Sequence, residues 1–270
     1  IEWFEKVIFE PHHFAEILSL NGNDVFVIDC AIPDFKNLVK GMKTRVVKNS
    51  SRVYDGANVT VIRPPTLLVK GLNRIFHFMT CEKVIRDTIK KNKIDIILLY
   101  GVATNGKQSI KVAKEMKIPI IYRALDISHG LIRIPIIKQI VRYYEKFVIQ
   151  NVDKILTTTP DLARYAYEMG GQKEKTETFP LGVNIKDFKP MEKDPSLCDR
   201  LGISKNDLVT VFMGTLYQFS GLENIIKNIK HIKKNHPTLK LLIVGGGPSF
   251  NKIKKLIQEE KLETEVIVTG

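Results

Sequence analysis

Cysteine is scarce in this sequence: only Cys30, Cys81 and Cys198 among 270 residues. An odd, widely spaced set excludes a disulfide framework. No Cys-x-x-Cys or close Cys/His spacing points to structural zinc. Free thiols in a reducing compartment are the expected state, and the expected location is the cytoplasm. No apolar run approaches the roughly 20 residues that span a bilayer. The opening Ile1 to Phe9 is interrupted by Glu2, Glu5 and Lys6, so it does not read as a signal peptide. Also missing is a Gly-x-Gly-x-x-Gly with a following strand-end acid, which argues against a nicotinamide-dependent dehydrogenase. No nucleic-acid module or aromatic platform is present either, and nucleic acid is not an expected partner.

Apolar residues make up 44% of the chain and charged residues 26%, which suits a packed globular protein. The formal net charge is +13. Such a balance favours an anionic partner, a phosphorylated ligand or an acidic membrane surface, although a lysine-rich background would produce it too. Strand-like runs alternate with amphipathic ones: Val25–Asp29, Val59–Ile62, Ile94–Tyr100, Ile118–Tyr122, Lys154–Thr158, Thr176–Phe179, Val209–Met213, Leu239–Val244 and Val266–Val268. Several are continuously apolar, as in parallel strands covered on both faces. Thr159-Pro160 predicts a capped helix start, with a stop at Gly170-Gly171. Leu222, Ile225, Ile226, Ile229 and Ile232 predict an inward helix face. Pro248 predicts a third helix carrying Phe250, Ile253, Leu256 and Ile257. This order implies an α/β fold of doubly wound parallel sheets. The rhythm breaks after Phe179, which places a boundary near residue 190: a domain over 1–190 and a partial one over 191–270. Both ends of the chain read as cut, and the second domain as incomplete.

Four loops could carry chemistry. In Val211-Phe-Met-Gly214-Thr215-Leu-Tyr-Gln-Phe-Ser220-Gly221, a strand turns at Gly214 into a helix whose free N–H groups near Gly221 would suit a diphosphate. In Leu241-Leu-Ile-Val-Gly245-Gly246-Gly247-Pro248, consecutive glycines at a strand end permit close approach of a ligand. An ordinary strand-to-helix turn explains either loop equally well. Arg123-Ala-Leu-Asp126-Ile-Ser-His129-Gly130 follows a strand, so its polar groups face the crevice at the sheet edge. His129 could bond a sugar hydroxyl, or be merely structural; Asp126 could equally be a helix cap. In Phe9-Glu10-Pro-His12-His13-Phe14, two adjacent histidines without further partners make a poor metal site, and no metal is expected.

In order and spacing these pieces resemble the retaining glycosyltransferases of family 4. Pro180-Leu-Gly-Val-Asn-Ile-Lys-Asp-Phe-Lys-Pro190 is similar to that family's interdomain signature, and Gly214 to Gly221 to its diphosphate loop. Leu242-Ile-Val-Gly245-Gly-Gly-Pro248 resembles its next strand and turn. Tyr122 to Asp126 and Asn151 to Thr159 resemble its acceptor-domain core. The resemblance implies a GT-B architecture: two Rossmann-like domains, an acceptor on the first, a nucleotide sugar on the second, retention of configuration, and no cofactor or metal. It implies donor contacts from Gly214, Thr215, Ser220, Gly221, Gly245 and Gly246. The transferring sugar would meet His129 and Asp126, with Glu10, His13 and Arg123 on the acceptor side. The family commonly carries Arg and Lys where this chain has Thr215 and Ser220. Its paired donor-binding glutamates fall beyond Gly270, so a chain ending there is expected to be inactive by itself. A sugar-nucleotide epimerase of the same fold and a silent sugar-nucleotide-binding protein remain alternatives. The acceptor would be a glycan, a lipid-linked molecule or a small molecule. Leu67 to Met79 and Gly130 to Tyr144 mix aliphatics with cations. That pattern suits peripheral contact with the inner face of a membrane, or helix faces with snorkelling cations.

Overall fold

The computed structural model describes residues 3–4, 7–30, 41–67, 69, 72–132, 134–185 and 187–270. Part of the two aliphatic–cationic stretches, namely Leu68, Lys70, Gly71 and Arg133, lies outside these residues. The chain divides into two compact units, Ile1–Val183 and Asn184–Gly270.

The first unit holds two sheets. In one, β1 (Val25–Ile28) pairs in parallel with β3 (Val59–Arg63), whose other edge takes β2 (Arg45–Ser50) antiparallel. In the other, β4 (Ile97–Leu99), β5 (Ile120–Ala124), β6 (Lys154–Thr157) and β7 (Thr176–Thr178) run parallel in chain order. Helices α1 (Glu10–Leu20), α2 (Leu72–Asn92), α3 (Gly106–Met116), α4 (Pro135–Asn151) and α5 (Pro160–Glu168) connect them. The α/β class with parallel strands is as the sequence implies. Within the first unit the strands fall into two sheets, and one of them carries an antiparallel edge. Strand β2 escaped notice because Arg45-Val-Val-Lys-Asn-Ser50 offers only two apolar residues. It also breaks register between Val47 and Ser50, where Asn49 takes φ 52°.

Two strands start later than their apolar runs suggest. Ile94 and Ile118 close the preceding helices instead. Their amides donate to Ile89 O (3.3 Å) and Ala113 O (2.9 Å), after Lys93 and Lys117 in the left-handed region at φ 52° and 56°. This is a helix stop sealed by an apolar residue, and both isoleucines pack beside Cys81, Ile85, Ile89 and Val112. The main core of the second sheet gathers Leu99, Ile120, Tyr122 and Ile155 under Ile110, Val148 and Ile149. Thr159 caps α5 as expected, its Oγ accepting from Leu162 N at 3.2 Å.

In the second unit, α6 (Pro195–Leu201) precedes β8 (Leu208–Met213), α7 (Leu222–Lys233), β9 (Leu239–Val244), α8 (Phe250–Glu259) and β10 (Val266–Val268). The parallel order β10-β9-β8 advances one way, so right-handed crossovers set α7 and α8 on the same face. Leu222, Ile226, Ile229, Ile253 and Ile257 pack there on Leu239, Leu241 and Ile243. Ile225 and Ile232, expected inward, are exposed because they flank the buried stripe. The opposite sheet face shows Val211 and Met213 to solvent. No helix among the described residues is long and apolar enough to cross a membrane.

Candidate functional site

In the first unit, polar groups collect at the C-terminal ends of β5 and β6. Chain leaving β5 forms a 3-10 turn, Ser128–Leu131, that carries His129. Glu145, on the inward face of α4 and 1% exposed, spends both carboxylate oxygens on this turn. It accepts from Ser128 N (2.9 Å) and His129 N (3.3 Å), and from the ring at His129 Nδ1 (2.7 Å). A carboxylate at that nitrogen fixes the tautomer with hydrogen on Nδ1 and leaves Nε2 for another partner. Tyr165 OH lies 3.2 Å from the same Nδ1. Burial raises the Tyr165 pKa, and neighbouring Glu145 raises it further, so the phenol stays protonated and its hydroxyl donates to the Glu145 carboxylate, not to the ring. With His129 15% exposed, the arrangement is an oriented imidazole at the rim of a buried acidic support. Asp126 is exposed, and Ile127 rather than Asp126 occupies the cap position of the turn.

Arg123 behaves differently from an acceptor-binding cation. It is 2% exposed, and its Nε donates to Glu10 at 3.0 Å while Nη1 donates to Phe179 O at 2.6 Å. Its guanidinium also lies 5.1 Å from the centre of the Phe179 ring. Thus Glu10 and Arg123 do meet, joining the first turn of α1 to the ends of β5 and β7. They form a buried clamp in which Glu10 Oε2 and Arg123 Nη2 have no assigned hydrogen bond among the described residues. His13 is not among them: its Nδ1 sits 2.9 Å from Tyr54 OH. The buried neighbour is His12, held by Trp3 O at Nε2 (3.0 Å), with its pKa lowered mainly by burial.

In the second unit, the two glycine loops cross at the C-terminal ends of β8 and β9. Gly214 (φ 152°) donates to Val244 O at 3.0 Å, and Leu216 N to Gly246 O at 2.9 Å. A Cβ on Gly245 would stand 2.2 Å from Gly214 O, and one on Gly247 2.8 Å from Leu216 N. The close approach these glycines permit is therefore between the two loops. Gly246, with open space around it, is free to meet a ligand. Gly221 (φ 74°) begins α7 with no side-chain cap; Asn224 N turns back to Gly221 O at 3.1 Å, and the Leu222 and Glu223 amides are left without an acceptor within the helix. The Ser220 hydroxyl donates back to Tyr217 O at 2.7 Å, and Thr215 is exposed. Glu223, in that first turn, pairs with Lys252 Nζ at 2.8 Å, so the lysine draws its charge toward α8. No cluster of three metal-ligating side chains exists among the described residues.

The sequence profile described as Glycosyltransferase Family 4 matches residues 12–187. The chain belongs to this family. A second profile, Glycosyl transferases group 1, matches residues 195–270. This family 4 chain is 22% identical over 236 residues to the alpha-monoglucosyldiacylglycerol synthase of Streptococcus pneumoniae, covering 84% of the chain and 53% of that protein. It is also 22% identical over 269 residues to the GPI3 subunit of Saccharomyces cerevisiae phosphatidylinositol N-acetylglucosaminyltransferase, covering 98% and 55%. It spans about half the length of these curated relatives. Among solved structures, sucrose-phosphate synthase from Thermosynechococcus elongatus matches with a TM-score of 0.66 at 18% identity, covering 96% of this chain and 63% of that one. Anabaena HepE, in complex with UDP and glucose, matches at 0.64 and 15%, covering 95% and 64%. At such identities the structures establish the shared fold.

Within this family 4 chain, Glu145 and Tyr165 are the site residues that reading the sequence missed. Glu145 keeps the helical register of Val141, Val148 and Ile149, all buried. An acid at an inward position of an amphipathic helix must find donors, and that conflict is the signal that could have revealed it.

Proposed function

We propose that the whole protein is a retaining glycosyltransferase that moves a sugar from a nucleoside-diphosphate sugar to an acceptor hydroxyl. The bond from the anomeric carbon to the diphosphate oxygen breaks, and a new one forms to the acceptor oxygen. The acceptor's proton leaves with the diphosphate. One observation carries the reading: the crossed loops at Gly214 and Gly245 deliver the chain into the uncapped start of α7, where amides and helix dipole suit a diphosphate without a metal. On this reading Thr215 and Gly246 also contact the donor. With Ser220 turned back on Tyr217, backbone groups take the share of the charge that Arg and Lys take elsewhere in the family. In the first unit His129, oriented by Glu145, offers Nε2 to a substrate hydroxyl. On this reading the Glu10–Arg123 clamp supports the acceptor side. Two of the relatives carry a lipid in their names, which favours a lipid acceptor over a glycan or a small molecule, and with it a peripheral position at the inner face of a membrane.

The test is full-length protein incubated with labelled nucleoside-diphosphate sugars, with and without acceptors. Acceptor-dependent appearance of a glycoside of unchanged anomeric configuration is the expected result. Free, altered sugar released without any acceptor would mean an epimerase. Bound nucleotide sugar that never turns over would mean a silent binding protein.

A further inference from the structure

The first half of α4 stands clear of the fold. Every described residue from Ile134 to Ile140 is exposed, and the helix packs only from Val141 onward. Four isoleucines, Ile134, Ile136, Ile137 and Ile140, lie in this turn and a half, with Leu131 just before and Tyr143 just after. Ile136 is 75% exposed and Tyr143 67%. Helix α2 extends the patch. Phe78 sits edge-on against Tyr144 of α4, ring centres 5.9 Å apart. On the outer side of α2, Leu72, Ile75 and Met79 are exposed, Met79 to 70%. Lone surface aliphatics are ordinary, but so many on two helices that meet at Phe78 and Tyr144 mark an interaction surface.

Charge identifies the partner. From Leu67 to Met79 and from Gly130 to Tyr144 there is no Asp or Glu, whereas Lys138 and Arg142 are present and exposed. Elsewhere on the first unit, some surface cations stand beside acids, as Lys111 does with Glu82 and Arg86 with Glu115. A second copy docked on this face by two-fold symmetry would set like charges against one another. An aliphatic face interleaved with cations alone is complementary to a bilayer with anionic headgroups: apolar side chains enter the acyl boundary and cations remain at the phosphates.

We propose that the projecting turns of α4, together with the exposed side of α2, form a docking surface for an anionic lipid bilayer. The inference rests on the membrane position proposed above and gives it a site. It also has a consequence for the reaction. The docking helix is the one whose Glu145 holds His129, and His129 lies two residues from exposed Leu131. Seating α4 on the bilayer therefore brings the oriented imidazole to the headgroup level, where a lipid's hydroxyl would be found.

Co-sedimentation of the full-length protein with vesicles of equal parts phosphatidylglycerol and phosphatidylcholine, against phosphatidylcholine alone, tests this. Binding should favour the anionic vesicles and weaken with salt. Ile136→Ser with Ile140→Ser should lower partitioning by roughly tenfold or more. Lys138→Glu with Arg142→Glu should lower it by at least about fivefold per position on anionic vesicles. All four side chains are exposed, so thermal midpoints should stay at the parent value. Equal binding to both vesicle types, or substituted proteins that bind like the parent, would overturn the docking surface. So would a concentration-dependent dimer that the same substitutions abolish. Transfer to a soluble acceptor, assayed in parallel, keeps the two proposals apart. If transfer persists while vesicle binding fails, the docking surface alone falls. If vesicle binding responds as expected but no acceptor is ever glycosylated, the assigned reaction falls instead.

Discussion

Glu145 accepts three hydrogen bonds from one short turn, so replacing it should act on His129 rather than on the fold at large. In Glu145→Gln the amide can accept one or two of these bonds, but its NH2 opposes the ring N–H and the imidazole loses its fixed direction. A positioning loss of this kind costs about 10- to 100-fold in turnover. We expect kcat to fall by that range with donor KM little changed, and Glu145→Asp to recover part of the loss. Unchanged kcat in a stably folded Glu145→Gln protein would show that the carboxylate does not serve the reaction. A second residue-scale consequence concerns acid. Burial, with smaller help from nearby positive charge, pulls His77 down to about 4 from its ordinary 6.5. The unfolded chain therefore binds a proton at pH values where the folded one does not. The stability this neutral ring contributes is complete above pH 6.5 and is lost as pH falls toward 4, amounting to about 2 kcal/mol by pH 5. Urea midpoints of His77→Leu should decline less between pH 7 and 5 than those of the parent. The slope that remains belongs in part to His12, which burial shifts in the same direction.

At the scale of elements, the two glycine loops show what a sequence discloses and what it conceals. That Gly214, Gly221 and Gly245 need a conformation few other residues adopt was legible from their places at strand ends and a helix start, and their φ angles of 152°, 74° and 132° agree. What each glycine approaches was not legible, because that is set by a loop some thirty positions away. Gly245 faces the Gly214 carbonyl, whereas Gly246 faces open space. Gly245→Ala should therefore destabilise the second unit by more than about 2 kcal/mol, since a Cβ at 2.2 Å from backbone oxygen forces the loops apart. Gly246→Ala should stay within roughly 0.5 kcal/mol while touching donor affinity. Chemical denaturation and nucleotide-sugar binding of the two proteins check this, and equal stability losses would contradict it. The same limit explains the other differences. Strand cores such as Leu239–Val244 were readable to the residue because all but Lys240 are apolar. By contrast, Ile94 and Ile118 were assigned to strands because nothing local announces a left-handed lysine closing a helix. Arg123 looked like a ligand-facing cation because its partner, Glu10, lies 113 residues away in sequence.

For the whole molecule, the apolar clusters sort by unit. Those around Trp3, around Cys81 and around Tyr122 draw on residues before Val183, and the one around Leu216 and Ile243 draws on residues after it. Each unit thus carries the burial that makes unfolding cooperative. The single tryptophan, Trp3, is fully buried in the first unit, with its indole N–H donating to Ser50 Oγ at 3.0 Å. Its fluorescence should follow the first unit, while far-UV circular dichroism follows both. We expect the two signals to give different urea midpoints, because the denaturant slope scales with the surface each unit exposes and the units differ in size. Ile110→Ala, which empties a buried site in the first unit, should cost about 2–5 kcal/mol and move the fluorescence transition. Gly245→Ala should leave that transition in place and move the remaining part of the dichroism curve. Coincident curves that shift together under both substitutions would mean that the two cores fold as one, and would remove the ground for reading the donor loops and the His129 turn as parts of separately stable bodies.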